Sequence, residues 1–237
     1  MSWAVARVVG LAVLLGAGWL VFHASSAPEF QVRTVKVEGA SLLSQAEVEQ
    51  AMAVRSANVF WIDRGAAEDR LRELPLVLEA EVTPVVPDTV SVRIVERQPA
   101  AFWVSGEHSY VIDDQGVVLR QLADDEGVYA ARPLPTIEEL DGQALKPGDV
   151  VDPRALATSN RLARLLPKVG ITPAAVEWSN AVGLEVRTEQ GWRVRFDSAS
   201  DIDPQVDSVR AIRDYLAKNK ASAELIDVRF GDRPYHR

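Results

Sequence analysis

Two groups of acidic side chains are the strongest candidates for chemistry in this sequence: the pair Asp113-Asp114 and the run Asp124-Asp125-Glu126. Paired carboxyl groups act as acid and base in hydrolysis, and clustered carboxylates bind calcium. Asp113-Asp114-Gln115-Gly116 lies between two short apolar segments, and Asp and Gly tolerate the backbone conformations of a hairpin turn. The run at 124–126 is typical of a solvated loop. We therefore predict structural rather than catalytic roles for both groups.

The histidines and cysteines argue against a metal centre or a covalent nucleophile. His23, His108 and His236 are far apart in sequence, so a zinc site is not expected. The chain has no cysteine, which excludes disulfides, thiolate ligands and a cysteine nucleophile. Serine-hydrolase, phosphate-loop and metalloprotease motifs are missing from the sequence. We predict no catalytic residue, no metal, no cofactor and no small-molecule substrate.

The net charge of the chain also limits its partners. Its formal value is -8 at pH 7, and the sequence contains no run rich in lysine and arginine. Nucleic-acid binding through phosphate contacts needs a basic surface. We therefore expect no nucleic-acid partner and no broad electrostatic adhesion to anionic lipid.

The elements that would position functional residues begin with an apolar N-terminal segment. Val8–Ala24 is 17 residues without a residue charged at neutral pH, roughly 26 Å as a helix, which is near the short end for a bilayer core. Arg7 can extend toward the headgroups, so we expect residues 4–24 to contact the lipid bilayer and residues 1–24 to form an anchor. A cleaved signal peptide ending near Ala24-Ser25-Ser26 is the alternative. Both interpretations place the remainder of the chain outside the cytoplasm.

The next segment has the pattern of a small mixed domain. Phe30–Glu38 alternates as a half-buried strand does. Ser44 and Glu47 form a potential capping box for a helix, and a second helix is expected from Arg64 to Glu73. Strands are expected at Val77–Thr83 and Thr89–Glu96, giving the order strand, helix, helix, strand, strand. The aromatic pair Phe60-Trp61 joins the two helices, and we expect it to pack in the domain core rather than form a binding patch.

From residue 98 onward, short strands dominate. Asp152 and Asp203 are expected to cap helices that end near Leu166 and Lys218, while 124–142 is expected to be an acidic loop region. The final strand is predicted at Glu224–Phe230. The other predicted strands are Ala101–Val104, Tyr110–Ile112, Val117–Leu119, Val176–Trp178, Leu184–Thr188 and Trp192–Phe196.

Several phrases in this order resemble a known bacterial family. VRTVKVEGA at 32–40, ANVFWID at 57–63 and VTPVVPDTVSVRIVERQPAAFW at 82–103 resemble a POTRA domain after a membrane span. YVIDDQGVVL at 110–119, LPTI at 134–137 and ELIDVRF at 224–230 resemble the cell-division protein family FtsQ, called DivIB in Gram-positive bacteria. Family members usually carry a longer basic cytoplasmic tail than the roughly seven residues that precede this span.

The resemblance implies an α+β fold in three parts. Residues 1–24 would be a transmembrane anchor with the N-terminus in the cytoplasm, and 30–97 a POTRA domain of order β-α-α-β-β. Residues 98–237 would form a mixed, mainly antiparallel β domain with two flanking helices. The implied function is that of a non-enzymatic divisome scaffold at the division septum. It would bind FtsB (DivIC) and FtsL and help regulate septal peptidoglycan synthesis.

The same resemblance points to the C-terminal strand as the partner-binding segment. We expect this strand to lie at a sheet edge, where its free backbone groups could accept a partner strand. The candidate partner-binding residues are Ile226, Val228, Arg229, Phe230 and Tyr235. For Phe230, an interface position and a core position are both open. The alternative functions are a membrane-anchored POTRA factor for protein export or outer-membrane assembly, and a secreted hydrolase.

Overall fold

The first element of the chain is a long apolar helix. The computed structural model describes residues 3–122, 134–230, 235 and 236, and its first helix, α1, runs from Trp3 to Ser26. Within α1, Val5–His23 is long and apolar enough to cross a membrane, and none of this span is buried against other parts of the protein. Its 24 residues extend roughly 36 Å. An N-terminal apolar helix that fits a transmembrane anchor is thus confirmed.

The chain divides into two compact units, with a boundary between Arg97 and Gln98, and α1 belongs to the first unit. After α1, the first unit has the predicted order of strand, helix, helix, strand, strand. Its elements are β1 (Thr34–Glu38), α2 (Gln45–Met52), α3 (Arg64–Arg72), β2 (Val77–Val85) and β3 (Thr89–Glu96). In its sheet β3 is central, parallel to β1 and antiparallel to β2.

Local sequence signals set the ends of these elements. Ser44 caps α2: its side chain accepts a hydrogen bond from the Glu47 backbone, and the Glu47 side chain accepts one from the Ser44 backbone. This is the predicted capping box. Gly39 ends β1 with a φ of +86°, where a Cβ would lie 2.1 Å from the Ile94 carbonyl oxygen. Only glycine fits at this position without moving backbone.

A buried carboxylate joins β3 to the segment between β1 and α2. Glu96 is only 5% exposed and accepts hydrogen bonds from the backbone N–H groups of Ser41, Leu42 and Leu43 at 2.8–3.0 Å. The Ser41 hydroxyl donates a further bond at 2.6 Å. Burial raises the pKa of Glu96, but these hydrogen bonds outweigh it and hold that pKa below its ordinary value. The Glu96 carboxylate therefore stabilises the fold in its ionised form.

The second unit is built on one nine-stranded sheet. Its strands are β4 (Ala101–Ser105), β5 (His108–Ile112), β6 (Val118–Leu122), β7 (Thr136–Glu139), β8 (Pro173–Ser179), β9 (Gly183–Thr188), β10 (Arg193–Phe196), β11 (Leu225–Asp227) and β12 (Tyr235–His236). They lie in the order β12-β11-β10-β9-β8-β7-β4-β5-β6. Three neighbouring pairs are parallel and the other five are antiparallel, so the predicted mixed, mainly antiparallel α+β domain is confirmed.

The two predicted helices flank this sheet: α4 (Pro153–Leu165) and α5 (Ile202–Asn219). They contact each other and the central strands, and together they bury one continuous apolar core. Asp152 caps α4 as expected, but Asp201, not Asp203, caps α5. Asp203 instead lies in the first turn of α5 and forms an ion pair with Arg161 of α4.

Two further predictions were wrong. The expected loop at 124–142 contains a strand, β7, which pairs in parallel with β4 and β8; residues 123–133 lie outside the described part. β7 is four residues long, and only Ile137 in it is fully buried, so it has no alternating pattern to detect.

Phe60 and Trp61 are 49% and 62% exposed and do not lie in the core. They form the 3₁₀ helix Val59–Trp61, because the Asn58 side chain accepts the Phe60 N–H and turns the chain there.

The turn predicted at Asp113–Gly116 is present: Gly116 has a φ of +81°, as a turn glycine can, whereas Asp113 acts through its side chain. The Asp113 side chain is 2% exposed, and its Oδ1 accepts hydrogen bonds from the backbone N–H groups of Gln115 and Val117 at 2.9 and 2.8 Å. The carboxylate is thereby committed to the β5–β6 connection. The second acidic group, 124–126, lies outside the described residues.

Replacing Glu96 by glutamine tests whether the ionised Glu96 carboxylate stabilises the first unit. We expect Glu96→Gln to lower the free energy of unfolding of the first unit by about 2 kcal/mol at neutral pH, because an amide cannot replace a charged acceptor for three N–H donors. The folded pKa lies below the unfolded one, so this stabilisation is present above the unfolded pKa and disappears as pH falls through the folded pKa. The free energy of unfolding of the wild type should therefore begin to approach that of Glu96→Gln as pH falls below about 4.3, the pKa of an unfolded glutamate.

The measurement is hydrogen exchange of β1–β3 amides in the full chain at several pH values. Glu38→Gln is the control, because Glu38 is an exposed carboxylate on the same sheet. Equal protection of wild type and Glu96→Gln at neutral pH would contradict this account.

Candidate binding edge of the distal sheet

The predicted C-terminal strand is shorter than expected and is not the edge of the sheet. β11 covers Leu225–Asp227 and lies between β10, to which it is parallel, and β12, to which it is antiparallel. The chain returns at Tyr235–His236, so the residues expected to form a tail supply the edge strand instead. The prediction that the edge would lie at Glu224–Phe230 was therefore wrong by one strand.

Two of the predicted partner-binding residues are buried in the free chain. Ile226 and Val228 are each 1% exposed and belong to the apolar core of the second unit. The Val228 N–H donates to the Arg195 carbonyl oxygen, which continues the pairing with β10 past the end of β11. These two side chains hold the C-terminal segment in place from within the core.

Asp227 and Arg229 form a forked ion pair at the end of β11. The fully buried Asp227 carboxylate accepts bonds from Arg229 Nε at 3.0 Å and Nη2 at 2.6 Å. Arg229 Nη1 donates to the Val182 carbonyl oxygen at 3.0 Å, in the turn between β8 and β9. Burial raises the pKa of Asp227, but the hydrogen bonds from Arg229 outweigh it and keep that pKa below its ordinary value. The pair therefore stays ionised and fixes the course of the chain after β11.

A row of charges continues from this pair into the sheet. Arg195 of β10 lies opposite both Glu185 of β9 and Asp227 of β11. The Glu185 carboxylate, which is almost fully buried, accepts a bond from Arg195 Nε at 2.6 Å. Asp227 in turn lies opposite Tyr235 on the edge strand. The alternating signs allow two carboxylates to be buried, because each has a guanidinium neighbour.

Phe230 lies at the surface directly after the ion pair. It is 60% exposed, so the core interpretation does not hold in the free chain. The Arg229 guanidinium carbon lies 5.3 Å from the centre of the Phe230 ring, within the range of a cation–π contact. Tyr235 on β12 is 45% exposed. Of the predicted residues, Phe230 and Tyr235 are thus exposed, whereas the Arg229 side chain is 22% exposed.

A cleft of about 390 Å³ lies beside Phe230. Two carboxyl groups line this cleft, those of Asp152 and Asp197. The Arg154 guanidinium holds the pKa of Asp152 below its ordinary value, and hydrogen bonds from Ser200 and Ala199 lower the pKa of Asp197 in the same way. A general acid near neutral pH needs a raised pKa instead. The lining includes Asp152, Arg154, Trp178, Asp197, Arg229 and Phe230. The cleft therefore presents charged side chains next to the exposed Phe230 ring. Sequence reasoning missed the contribution of Asp152, Arg154 and Asp197, because they come from elements distant in sequence.

Comparison with known proteins decides the family. A model described as POTRA domain, FtsQ-type, matches residues 30–97, and a model described as cell division protein FtsQ/DivIB, C-terminal, matches residues 101–229. The chain belongs to the FtsQ/DivIB family of cell-division proteins. The POTRA-type arrangement of the first unit, predicted from the sequence, is confirmed with it.

Curated FtsQ proteins align along most of the chain. The FtsQ of Chloroflexus aggregans is 33% identical over 193 residues, which cover 80% of this chain and 69% of that protein. The FtsQ of Chloroflexus aurantiacus is 30% identical over 228 residues, covering 94% and 79%. The FtsQ of Myxococcus fulvus is 28% identical over 244 residues, covering 96% and 81%. An FtsQ/DivIB role in cell division is therefore a property of the family to which this chain is assigned.

The ion pair at the end of β11 yields a stability prediction. Asp227→Asn should lower the free energy of unfolding of the second unit by about 3 kcal/mol at pH 7, because it leaves Arg229 without its buried counter-charge. The pKa of Asp227 is lower in the folded than in the unfolded chain. Its contribution to the free energy of unfolding is therefore present above the unfolded pKa and is lost as pH falls through the folded pKa. The control is Asp207→Asn, whose carboxylate is 65% exposed in an ion pair on α5. Chemical denaturation of both variants at pH 7 and at acid pH measures the effect, and equal destabilisation by both at pH 7 would refute it.

Proposed function

We propose that this FtsQ/DivIB-family protein is a non-enzymatic divisome scaffold that binds FtsB/DivIC-like and FtsL-like bitopic proteins at the edge of its distal sheet. In this role it helps regulate septal peptidoglycan synthesis at the division septum. Two observations carry the proposal: Phe230 is exposed three residues after the end of β11, and no other strand in the described residues pairs with the outer side of β12, the neighbour of β11. The match of 101–229 to the FtsQ/DivIB C-terminal model favours this role over that of a POTRA export or assembly factor.

The proposed mode of binding is addition of a partner strand next to β12. β12 has only two residues, and each backbone hydrogen bond contributes about 1 kcal/mol net. Backbone pairing with β12 therefore aligns the partner strand but contributes little to the affinity for the partner. Side chains must supply most of the binding energy.

Phe230 is the side chain best placed to do so. It is 60% exposed, and a phenylalanine side chain buries about 200 Å² when fully covered. Covering the remaining part removes roughly 120 Å² from water, worth about 3 kcal/mol. The fork between Arg229 and Asp227 fixes the backbone from which Phe230 projects, so little ordering entropy is lost on binding.

The proposed topology places the N-terminus in the cytoplasm, α1 across the cell membrane and both folded units outside the cytoplasm. The support is the span Val5–His23 and the family assignment. We expect α1 to be retained as an uncleaved anchor. N-terminal sequencing of protein purified from membranes tests this: a mature chain starting near Ala27 would show that a signal peptide is removed.

Alanine substitution tests the interface. Phe230→Ala should weaken binding of the FtsB/DivIC-like partner by roughly 2–4 kcal/mol, because it removes the apolar anchor at the sheet edge. Its thermal stability should change little, since the side chain is already largely exposed. Titration with the partner and thermal melting of the same preparation measure both quantities.

Tyr215→Ala is the matched control, since Tyr215 is an aromatic residue 57% exposed on α5. It should leave partner binding unchanged. A large fall in the melting temperature of Phe230→Ala, with affinity retained in the folded fraction, would refute the role of Phe230. Equal loss of affinity in both variants would refute the location of the interface.

A further inference from the structure

The POTRA unit carries an exposed aromatic surface that the proposed divisome interface does not use. Phe60 and Trp61 are 49% and 62% exposed, and the Phe30 ring lies 5.0 Å from that of Phe60. Val85 and Val86, at the turn between β2 and β3, are 44% and 58% exposed. We call Phe30, Phe60, Trp61, Val85 and Val86 the aromatic end.

Backbone pairing places these residues at one end of the POTRA unit. Thr34, the first residue of β1, lies opposite Thr89, so the turn before Thr89 lies beside the start of β1. The Val32 N–H donates to the Ala57 carbonyl oxygen at 2.9 Å, which brings the segment before Phe60 to the same place. The aromatic end is therefore the end at which the chain arrives from α1.

The connection between α1 and this end is short and folded. α1 ends at Ser26, and Ala27 is already buried. The Phe30 N–H donates to the Ala27 carbonyl oxygen, and Arg33 Nη2 donates to the Pro28 carbonyl oxygen at 3.1 Å. Only residues 27–29 lie between the end of α1 and the POTRA domain at 30–97, and Pro28 and Glu29 belong to the short 3₁₀ helix Pro28–Phe30.

Helix geometry then limits how far this end can be from the bilayer. The membrane-compatible span ends at His23, and three further helical residues add roughly 4.5 Å. The headgroup layer of each leaflet is about 5–8 Å thick. The aromatic end must therefore lie in or next to the headgroup layer, the region in which tryptophan side chains are enriched.

The charges around the aromatic end identify the kind of contact. Arg33 and Arg64 are exposed there, but so are Glu29 and Asp63, so the surface has no net basic character. Recognition of anionic lipid needs an excess of lysine and arginine. The contact that fits is insertion of aromatic and apolar side chains among headgroups of any charge.

We propose that the aromatic end docks onto the same bilayer that α1 crosses, with Trp61 and Phe60 in the headgroup layer, and so holds the POTRA unit against the membrane. This inference rests on the membrane anchor of the proposed function, but it does not depend on any protein partner. Docking restricts the tilt of the POTRA unit about the helix end.

The absence of cysteine allows this to be tested in the full chain with single nitroxide labels. The label is placed at Val86→Cys, which leaves Phe60 and Trp61 intact. The matched control is Leu78→Cys, 48% exposed near the start of β2, roughly 25 Å away along the sheet. Purified chain is reconstituted in phosphatidylcholine vesicles, and power saturation compares label collisions with oxygen and with a water-soluble nickel complex.

We expect the label at 86 to collide with the nickel complex several-fold less than the label at 78. This protection should be lost when Phe60→Ser and Trp61→Ser are added, whereas site 78 should not change. Both serines replace exposed side chains, and a thermal melt verifies folding. If the double variant does not fold, Trp61→Ser alone takes its place.

Other outcomes would overturn the proposal. Equal nickel accessibility at 86 and 78 refutes docking. Protection that appears only with phosphatidylglycerol assigns the contact to charge, and protection that appears only when an FtsB/DivIC-like protein is added assigns it to a protein; both refute the proposal. A label at Leu14→Cys, in the middle of α1, separates this failure from failure of the anchor: oxygen-rich, nickel-free surroundings at 14 together with an accessible 86 refute docking alone.

Discussion

The fork between Asp227 and Arg229 is the interaction on which the geometry of the distal sheet edge depends. A fully buried carboxylate is unfavourable unless its charge is matched, and here Arg229 from the same segment and Arg195 from the next strand both match it. Because Arg229 also donates to Val182, the pair ties the end of β11 to the turn between β8 and β9. Phe230, the next residue, has its backbone fixed by this arrangement and its ring left in solvent.

The same principle operates in the POTRA unit. Glu96 is buried and ionised because backbone N–H groups surround it, just as Asp227 is buried and ionised because guanidinium groups do. Every described carboxyl group with a resolved pKa shift is shifted downward: Glu49, Glu96, Asp152, Asp197 and Asp227. Acid–base catalysis near neutral pH uses groups tuned in the opposite direction. Glu96, Asp152, Asp197 and Asp227 each accept a hydrogen bond from a backbone N–H group, whereas Glu49 pairs with the side chains of Gln45 and Arg55.

Elements with strong local signals were predictable from sequence. The capping box at Ser44 and the turn at Asp113 depend on side chains two to four residues away, so the sequence alone contains the whole interaction. β7 and β12 were not predictable, because strands of four and two residues show no periodicity and their partners are distant in sequence. The exposure of Phe60 and Trp61 was also out of reach, since composition favours aromatic burial and only the tertiary fold leaves this connection uncovered.

The two edges of the distal sheet differ in a way that bears on function. The start of β6 is covered: the Val118 N–H donates to the Asp149 carbonyl oxygen, and the Val118 carbonyl oxygen accepts the Gly148 N–H, both at 2.8 Å. No strand in the described residues pairs with the outer side of β12. Proteins usually protect strand edges, because free backbone groups invite association with other chains. If a partner strand adds next to β12, as we propose, the two-residue length of β12 restricts this edge to partners that also contact the Phe230 side chain.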